Sequence, residues 1–267
     1  MVHTEFGGEV SGVPAFTATE FAEKCAKYCV LIPILNEEKN IFPQLARAQK
    51  HGISGLCDVI ICDGGSNDGS ADPEKLAGYG VNTLLIKTGP GRQGAQLRMG
   101  LWWALRRGYE GFVTVDGNNK DSVEDIPRFL EQLEAGYDFV QGSRYVPGGR
   151  GLNTPLLRHV SVRLIHAPVI SLCAGQRFTD TTNAFRGHSR KYITHPEVQP
   201  LRDVFVGYEL LAYLSVRASQ LGLRVCEVPV TRAYPKAGKT PTKISPIRGN
   251  ASLLRVLWNN ARRRYHP

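Results

Sequence analysis

Gly-Phe-Val-Thr-Val-Asp-Gly-Asn-Asn-Lys-Asp, at residues 111–121, is the stretch on which the interpretation of this chain depends. Its apolar residues predict a buried strand, which ends at a cluster of oxygen-bearing side chains. Ligands of an open α/β sheet collect at the carboxyl ends of its strands, so Asp116, followed by Gly117 and Asn118, is placed for metal or phosphate chemistry. An aspartate in this position more often caps a turn or the next helix. The rest of the chain decides between the two roles.

Two further strands that end in polar residues precede this stretch. Residues 29–35 form an apolar run that stops at Asn-Glu-Glu, and residues 58–62 form another that stops at the Gly-rich loop of residues 63–70. The segment between them carries apolar residues at helical spacing, with Pro43 in its first turn, where a missing N–H costs little. A strand, a helix and a strand in this order predict a βαβ unit of a parallel sheet, with a site along its carboxyl edge.

The remaining segments continue the alternation of strands and helices. Residues 1–20 show no clear periodicity, and we expect an arm there with a helical turn before Tyr28. Similar patterns predict a third strand at 81–88, a helix ending near Arg107, a helix at 123–133, a strand at 137–141, a helix at 156–174 broken at Pro168, a polar loop or short strand at 179–186, a helix at 207–221, a strand at 223–230 and a loop at 231–245. One domain with a C-terminal extension is the simplest organisation.

The composition favours a folded chain with anionic partners. The 267 residues are 42% hydrophobic, which suffices for a sizeable core, and the formal net charge is +9. Six cysteines are scattered without a C-x-x-C pair, which is typical of buried thiols rather than of disulfides or a zinc site. We expect no secretion, because the N-terminus lacks a basic region followed by an apolar region. We expect no membrane span either, because residues 152–174, the nearest to an apolar run of about 20 residues, carry charges that favour lying on a membrane.

A dinucleotide site is a rival interpretation. Residues 89–94 spell G-x-G-x-x-G before a helix, and the following strand ends in an acid, as in dinucleotide-binding folds. That fingerprint usually lies on the first strand of its sheet, whereas a complete βαβ unit precedes it here. An NAD-dependent dehydrogenase is therefore kept as an alternative of another class, and so is a non-catalytic module that binds a nucleotide sugar.

Several motifs taken together resemble one family. They are Leu-Ile-Pro-Ile-Leu-Asn-Glu at 31–37, Asp-Gly-Gly-Ser-Asn-Asp-Gly-Ser at 63–70, the acidic strand end at Asp116, Gly-Ser-Arg-Tyr-Val-Pro-Gly-Gly at 142–149, Asp-Thr-Thr-Asn-Ala-Phe-Arg at 180–186 and Glu-Val-Pro-Val at 227–230. They resemble the family 2 glycosyltransferases of the GT-A fold, and among them the dolichyl- and polyprenyl-phosphate mannosyltransferases. The resemblance implies an α/β GT-A domain at 29–245, with a Rossmann-like, mostly parallel central sheet flanked by helices. An arm at 1–28 would precede it, and a basic amphipathic C-terminal helix at 246–267 would follow it.

The resemblance implies where a nucleotide sugar would bind. In such enzymes the first strand end and the Asp-Gly-x-Ser loop hold the nucleoside, so Pro33 and Glu37 would border the base and the ribose. Asp63 would accept a hydrogen bond from the base. A charge at a helix N-terminus is the alternative role for Glu37. Gly91 and Gly94 would let the backbone approach the nucleotide closely.

The resemblance also implies a divalent metal, Mg²⁺ or Mn²⁺, that neutralises the charge developing on the leaving nucleoside diphosphate. The family's metal motif is Asp-x-Asp, whereas this chain has Asp116 followed by Asn118, whose amide oxygen coordinates a cation without adding charge. Asp121 would restore the second carboxylate if it reached the metal, with helix capping as its alternative role. Lys120 would instead supply positive charge to the diphosphate.

Basic side chains and one glutamate would complete the site. Arg144 and Arg186 suit an anionic acceptor or the diphosphate, because a guanidinium binds phosphate bidentately, and a structural ion pair is the alternative for each. Glu209 lies where relatives that glycosylate hydroxyls keep a general base, which a phosphate acceptor does not need. Phosphates would also be bound by three lysines of the loop after the Glu-Val-Pro strand: Lys236, Lys239 and Lys243.

We therefore expect a glycosyltransferase that moves a sugar, with inversion, from a GDP-mannose-like or UDP-sugar donor to polyprenyl phosphate. The alternative within the family is transfer to a sugar hydroxyl in cell-surface polysaccharide or another glycoconjugate. We expect a cytoplasmic protein in peripheral contact with the inner face of the cytoplasmic membrane, and no nucleic-acid partner. Residues 248–267, in which arginines lie among apolar side chains, would make that contact, with packing on the domain as the alternative.

Overall fold

The computed structural model describes residues 2–7, 12–235 and 248–267. Its strands are β1 (Val2–Phe6), β2 (Phe16–Glu20), β3 (Tyr28–Ile34), β4 (Asp58–Asp63), β5 (Thr83–Lys87), β6 (Gly111–Thr114), β7 (Phe139–Ser143), β8 (Arg150–Leu152), β9 (Arg186–Ser189), β10 (Val225–Pro229) and β11 (Thr231–Ala233). Its α-helices are α1 (Glu38–Lys50), α2 (Pro73–Gly78), α3 (Gln93–Arg106), α4 (Ile126–Glu134), α5 (Leu156–Ser161), α6 (Ala167–Ala174), α7 (Arg190–Ile193), α8 (Glu209–Gln220) and α9 (Arg248–Ala261). Within these residues nine strands form one sheet, in the spatial order β1-β2-β5-β4-β3-β6-β9-β7-β10, and β8 and β11 form a second sheet.

The centre of the main sheet is parallel, as the sequence predicts. β3 pairs in parallel with β4 on one side and with β6 on the other, and β5 extends the sheet beyond β4 in the same direction. β9 runs antiparallel between β6 and β7, and β10 lies parallel to β7. Every residue of β3 and β4 is buried, because helices cover both faces of the sheet and such strands carry apolar side chains on both sides.

The two faces of the sheet carry separate hydrophobic cores. Helices α3, α6, α8 and α9 pack on one face, and α1 and α4 pack on the other. Neighbouring residues of β3 divide between the cores, so that Leu31 belongs to the first and Ile32 to the second. A Cβ on Gly100 of α3 would lie only 2.6 Å from Sγ of Cys62. This glycine therefore lets α3 pack directly against β4.

The N-terminal segment adds two strands to the sheet, and the predicted helical turn before Tyr28 is wrong. β2 pairs antiparallel with β5, and β1 pairs antiparallel with β2. The rings of Phe6 and Phe16 stack with their centroids 4.9 Å apart, and both contact Trp102 and Trp103 of α3. Strands this short have little periodicity of their own, so the pairing with β5 defines them.

Two segments near the carboxyl edge differ from their predicted form. Residues 156–174 are one continuous helix, in which α5 leads through a π-helical turn at Val162–His166 into α6. Pro168 lies in the first turn of α6. Proline has no N–H to donate to the preceding turn and its ring needs space there, and the wider π turn before it accommodates both. Thr231–Ala233, predicted as loop, is a strand that pairs with β8.

The C-terminal helix α9 packs on the domain. Val256 and Leu257 are buried against the core that includes α6 and α8, and Nδ2 of Asn260 donates to the carbonyl of Ala212 at 3.0 Å. Leu254 lies on the outer side of the helix with its side chain exposed. The helix is therefore part of the folded domain, and contact of its outer side with a membrane stays a prediction.

Candidate active site

The carboxyl ends of the parallel strands meet at one edge of the main sheet. Ile34 at the end of β3 lies opposite Asp63 at the end of β4, and Leu31 of β3 lies opposite Thr114, the last residue of β6. Asp116 follows β6 directly after Val115. The predicted grouping of these strand ends along one edge is confirmed, and the edge forms the floor of the candidate site.

Asp116 faces this edge with its side chain 21% exposed. Its Oδ1 accepts a hydrogen bond from Nε2 of Gln93 at 3.0 Å, and its Oδ2 accepts one from Nδ2 of Asn118 at 3.2 Å. Nη2 of Arg232 lies 3.5 Å from the same Oδ2. Three donors thus orient a carboxylate that stays open to the cleft. Gln93 was not found from the sequence, because a glutamine at the start of a helix has no distinctive pattern.

Asp121 does not reach the exposed side of the Asp116 carboxylate, which corrects the prediction that Asp121 is a metal ligand. Its side chain is completely buried and is paired with the guanidinium of Arg232, across an isolated antiparallel bridge between the two residues. Its Oδ1 is buried without a hydrogen-bond partner among the described residues. Burial raises the pKa of the Asp121 carboxyl, although the charge of Arg232 opposes the shift. Asp121 therefore positions Arg232 and leaves Asp116 as the carboxylate of the cleft.

Arg232 connects the two aspartates and was not found from the sequence. Burial would lower the pKa of its guanidinium, but the charges of Asp121 and Asp116 raise that pKa above its ordinary value. A permanent positive charge is therefore fixed next to Asp116. In the sequence Arg232 is one of several basic residues after the Glu-Val-Pro strand, and only its bridge to Asp121 distinguishes it.

Basic side chains surround Tyr234, and one of them is Arg232, the neighbour of Asp116. Nη1 of Arg144 lies 3.5 Å from the tyrosine hydroxyl. The charged groups of Lys120, Arg158 and Arg232 lie 5.8–5.9 Å from the centre of its ring. Burial would raise the pKa of Tyr234, but the neighbouring guanidinium groups lower it. The term cationic pocket is used below for Lys120, Arg144, Arg158 and Arg232 around Tyr234. Its excess of positive charge suits an anion.

Arg144 reaches the cationic pocket with one arm of its guanidinium. Its Nε and Nη2 contact Oδ2 and Oδ1 of Asp180 at 2.6 and 3.0 Å, in an ion pair whose side chains are 1% and 0% exposed. Burial disfavours the charge on Asp180, but the contacts with Arg144 hold the pKa of this carboxyl below its usual range. The predicted bidentate contact of Arg144 with a phosphate is therefore corrected, because Asp180 occupies the fork and Nη1 alone faces Tyr234.

Arg186 is withdrawn from the cleft. Its guanidinium is buried and donates to the carbonyl of Thr181 at 3.0 Å and to the carbonyl of Leu211. Burial lowers its pKa to about 10. The side chain ties the polar loop before β9 to helix α8, so the prediction that it binds phosphate is wrong.

The predicted nucleoside residues lie at the ends of β3 and β4. Asp63 is buried, and its Oδ2 accepts hydrogen bonds from the backbone N of Gly65 and Ser66 at 2.7 and 2.9 Å. Glu37 precedes α1, and its Oε2 accepts a hydrogen bond from Nδ2 of Asn40 at 2.6 Å. Pro33 is buried within β3. Asp63 thus shapes the loop after β4, and contact of these side chains with a nucleoside stays a prediction.

Residues 29–195 match the family model described as glycosyl transferase family 2. The chain belongs to this family. It is 30% identical to polyprenol monophosphomannose synthase of Mycolicibacterium smegmatis, over 82% of each chain, and 28% identical to undecaprenyl-phosphate mannosyltransferase of Micrococcus luteus, over 87% of this chain and 94% of that one. Glucosyl-3-phosphoglycerate synthase of Mycobacterium tuberculosis, solved with Mn²⁺, UDP and phosphoglyceric acid, superposes with a TM-score of 0.63 at 15% identity, over 88% of this chain and 78% of that one. The fold is therefore the predicted GT-A fold, and this glycosyltransferase is not the dehydrogenase of the rival interpretation.

Asp116 and Asn118 fit a divalent metal that binds together with a diphosphate. Among the residues that the structure describes, no group of three or more His, Cys, Asp or Glu side chains could hold a metal ion. Mg²⁺ commonly binds through one or two carboxylates and the oxygens of substrate phosphates. The partly exposed carboxylate of Asp116 offers one such ligand, and Oδ1 of Asn118, which accepts a long 3.3 Å hydrogen bond from N of Lys120, offers a second oxygen. The donor set is that of a metal shared with substrate.

Gly91, before α3, and Gly94, the second residue of α3, serve the packing of this glycosyltransferase. Gly91 has φ of +108°, a backbone conformation that side chains disfavour, and a Cβ on Gly94 would lie 2.3 Å from the carbonyl oxygen of Phe205. N of Arg92 donates to the carbonyl of Val206 at 3.1 Å. The Cβ position of Gly94 is therefore filled by the chain's own backbone, and approach of Gly94 to the nucleotide stays a prediction. Contact of Gly91 with the nucleotide stays a prediction.

Glu209 lies in the first turn of α8. Its carboxylate accepts a hydrogen bond from the backbone N of Gly207 just before the helix, and its charge lies at the N-terminal end of the helix dipole. Its role as a general base stays a prediction. The predicted phosphate ligands of the basic loop lie outside the described residues: Lys236, Lys239 and Lys243.

Proposed function

We propose that this glycosyltransferase transfers a hexose, with inversion, from a nucleoside diphosphate sugar to polyprenyl phosphate. The observation that carries the proposal is the cationic pocket around Tyr234, which shares Arg232 with the carboxylate of Asp116. The names of the two relatives describe mannose transfer to polyprenyl phosphates, and the solved structure contains UDP and Mn²⁺. Mannose is therefore the first donor sugar to test, with both GDP and UDP as the carrier.

The two anions would bind on different sides of Arg232. The donor diphosphate would lie at the open carboxylate of Asp116, where a divalent metal held with Asn118 would neutralise the charge on the leaving group. The acceptor phosphate would lie in the cationic pocket, between Arg158 and Lys120. A phosphate monoester carries close to two negative charges at neutral pH, which these two side chains would balance.

The acceptor phosphate needs no general base, because it is already an anion. One of its oxygens would attack C1 of the donor sugar and form a new C1–O bond, while the C1–O bond to the diphosphate breaks and its electron pair stays on the diphosphate oxygen. A single in-line displacement of this kind inverts the configuration at C1.

Substitution of Arg158 tests the proposed acceptor site. With short-chain polyprenyl phosphate in detergent and the donor that supports transfer, Arg158→Met should lower kcat/KM for the acceptor by about ten- to a hundredfold, because one charge-assisted contact with phosphate is lost. KM for the donor should stay within about twofold, since Arg158 is placed away from the diphosphate. Arg163→Met, on the exposed side of the same helix, is the matched control. NMR of the product should show the inverted anomer.

A glutamine at Glu209 separates this function from transfer to a hydroxyl. Glu209→Gln should leave kcat within about twofold of the unchanged enzyme, because no base is required. Loss of transfer in Glu209→Gln together with full activity in Arg158→Met would contradict the proposal and favour a hydroxyl acceptor.

A further inference from the structure

Glu227 of β10 belongs to the Glu-Val-Pro-Val motif, and the proposed reaction does not use it. The residue lies opposite Gln141 of β7 at one end of the main sheet. Both oxygens of its carboxylate lie 3.0 Å from the backbone N of Thr179, which donates to them, and Oγ1 of Thr179 lies 3.0 and 2.9 Å from the same oxygens. The backbone N of Asp180 donates to Oε1 at 3.2 Å. One carboxylate thus binds two consecutive backbone N–H groups.

The segment that Glu227 binds has no helix or strand of its own. Residues 177–185 lie between α6 and β9, so their N–H groups depend on partners outside a regular ladder. A carboxylate is a strong acceptor for such groups, because a charge-assisted hydrogen bond is roughly twice as strong as a neutral one. Burial raises the pKa of the Glu227 carboxyl, although the hydrogen bonds from Thr179 oppose the shift. The charge of Glu227 is therefore stabilised by the backbone that it fixes.

Asp180 connects this backbone to Arg144. Its carboxylate accepts from Nε and Nη2 of Arg144 at 2.6 and 3.0 Å and from the backbone N of the same residue at 3.3 Å. Ser143 makes a second link beside it, since its Oγ lies 2.6 Å from Oγ1 of Thr179. Asp180 orients the guanidinium only while its own backbone is fixed, and Glu227 fixes it. The orientation of Arg144 therefore depends on Glu227.

Nη1 is the arm of Arg144 that faces the cationic pocket. It lies 3.5 Å from the hydroxyl of Tyr234, whereas Asp180 occupies Nε and Nη2. The guanidinium is planar and rigid, so a tilt at the Asp180 end changes the direction of Nη1 as well. The strength of a hydrogen bond to a phosphate depends on this direction. The pairing at one end of Arg144 therefore decides what its other end can bind.

We propose that Glu227 is a positioning residue for the acceptor phosphate and acts through Asp180 and Arg144. It holds the guanidinium of Arg144 in the orientation in which Nη1 faces the cationic pocket, and it touches no substrate itself. The consequence for the acceptor rests on the proposed function. The effect of Glu227 on the orientation of Arg144 does not depend on that function.

The Nε–H group of Arg144 reports the orientation of the guanidinium in the absence of donor and acceptor. It is followed in ¹H–¹⁵N NMR spectra of the full chain labelled with ¹⁵N-arginine. Because Nε donates to a buried carboxylate, its signal should be separate from those of exposed arginines and should exchange slowly with water. Arg144→Lys, which keeps a positive charge beside Asp180, assigns the signal by its loss.

Glu227→Gln should shift this signal and speed its exchange with water by at least about tenfold. Glutamine places an amide group where a carboxylate oxygen accepts, so the N–H groups of Thr179 and Asp180 lose part of their hydrogen bonding. The milder Thr179→Val removes only the hydroxyl contacts and should shift the signal by less, and it decides the question if Glu227→Gln does not fold. An unchanged Arg144 signal in the variants that fold would overturn the proposal.

Transfer kinetics measure the consequence for the acceptor. With short-chain polyprenyl phosphate in detergent, Glu227→Gln should raise KM for the acceptor by about three- to tenfold, because Nη1 of Arg144 no longer points into the pocket. KM for the donor and kcat should each stay within about twofold of the unchanged enzyme, since the donor carboxylate and the reacting atoms are not altered. A purely structural loss would instead lower the amount of active enzyme and leave both KM values unchanged.

Asp58 offers the matched control, because it fixes a loop in the same way at the opposite edge of the sheet. Its buried carboxylate at the start of β4 accepts from the backbone N of Cys25 and Ala26 at 3.1 and 3.3 Å. Asp58→Asn should lower the urea midpoint of unfolding by an amount comparable to that of Glu227→Gln, but it should leave the Arg144 signal and KM for the acceptor unchanged. Equal changes in both variants would show that Glu227 acts only through overall stability and would contradict the proposal.

The two measurements separate this proposal from the proposed function. If neither the unchanged protein nor any variant transfers sugar to polyprenyl phosphate while the Arg144 signal responds as expected, the proposed function fails and the positioning of Arg144 by Glu227 stands. If transfer proceeds and the signal responds, but KM for the acceptor is the same in Glu227→Gln, the link between Arg144 and the acceptor phosphate is overturned.

Discussion

The edge proposed to bind the donor and the edge proposed to bind the acceptor, called the donor edge and the acceptor edge below, are held together in different ways. At the donor edge, the loop after β4, aspartates accept hydrogen bonds from groups two or three residues away, as Asp63 does from Ser66 and Asp68 does from Ser70. At the acceptor edge, the partners come from distant segments, as in the pair of Arg144 with Asp180. The donor edge is therefore a set of local turns, whereas the acceptor edge depends on buried charges that fasten separate segments to each other.

Breaking the ion pair of Arg144 and Asp180 should have the largest effect on stability. Arg144→Met leaves Asp180 buried and unpaired, so the free energy of unfolding should fall by about 3–5 kcal/mol. Urea unfolding followed by circular dichroism measures the change. The exposed Arg128, which pairs with Asp125 one helical turn away, provides a matched control, and Arg128→Met should cost about 1 kcal/mol or less from the lost ion pair.

The double variant Arg144→Met/Asp180→Leu sharpens this test. Replacing both partners removes the unpaired charge, so a large part of the lost stability should return, although the loop before β9 would lose its anchor to β7. If Arg144→Met alone costs less than about 1 kcal/mol, the acceptor edge does not depend on this pair and the contrast between the edges fails.

The stability of the fold should also fall in acid, because His188 of β9 is completely buried. Both ring nitrogens lack a hydrogen-bond partner among the described residues, and burial, with a smaller effect of Arg186, lowers the pKa of His188 to about 3. The unfolded chain takes up this proton below about pH 6.5, whereas the folded chain does not until about pH 3, so the stability from His188 is present above pH 6.5 and is lost as the pH falls. Between neutral pH and pH 4 the loss should be about 3 kcal/mol.

Phenylalanine at this position should remove that loss. His188 lies between the rings of Phe139 and Tyr192, with centroids 5.4 and 6.1 Å away, so His188→Phe keeps an aromatic ring in place. Its unfolding free energy, measured in urea at a series of pH values, should fall less steeply towards pH 4 than that of the unchanged protein. His51→Gln, at an exposed position, is the control. An unchanged pH profile in His188→Phe would show that His188 does not set the acid sensitivity.

Substitutions at the donor edge should have the smallest effect on the free energy of unfolding. Asp63→Asn keeps an oxygen for the backbone N of Gly65 and Ser66 but places an amide group where Oδ1 accepts from Oγ of Ser66, so a cost of about 1–2 kcal/mol is expected. Asp72→Asn is the matched control, because asparagine caps the N-terminus of α2 as well as aspartate does. A cost for Asp63→Asn that equals that of Arg144→Met would remove the distinction between the two edges.

The donor edge was the more predictable part of the site, because the sequence patterns that indicate it lie within a few residues of one another. The strand at 58–62 and the loop at 63–70 follow from an apolar run that ends in Gly, Asp and Ser, and the structure places the loop at the end of β4 as expected. Asp116 was found for the same reason. The N-terminal strands were missed, since β1 and β2 are short and are defined by their pairing with each other and with β5.

The acceptor edge was predicted less well, because the roles of its residues depend on partners that are far away in the chain. Arg186 suited a phosphate by its chemistry, but the carbonyls of Thr181 and Leu211 occupy its donors. Arg158 and Tyr234 were missed, because neither stands in a motif and each gains its position only when α5 and the segment after β11 lie next to each other.

The sequence by itself determined the alternation of strands and helices, the GT-A fold, the family and the position of Asp116 at a strand end. These features depend on periodicity and on motifs within a few residues, which a linear chain displays directly. The tertiary structure decided which charges remain open: Asp121 is occupied by Arg232, and Arg144 by Asp180, whereas Asp116 keeps an exposed carboxylate. The physical reason is that a charge acts through its distance to other charges and through its burial, and both are defined only when distant segments are packed together.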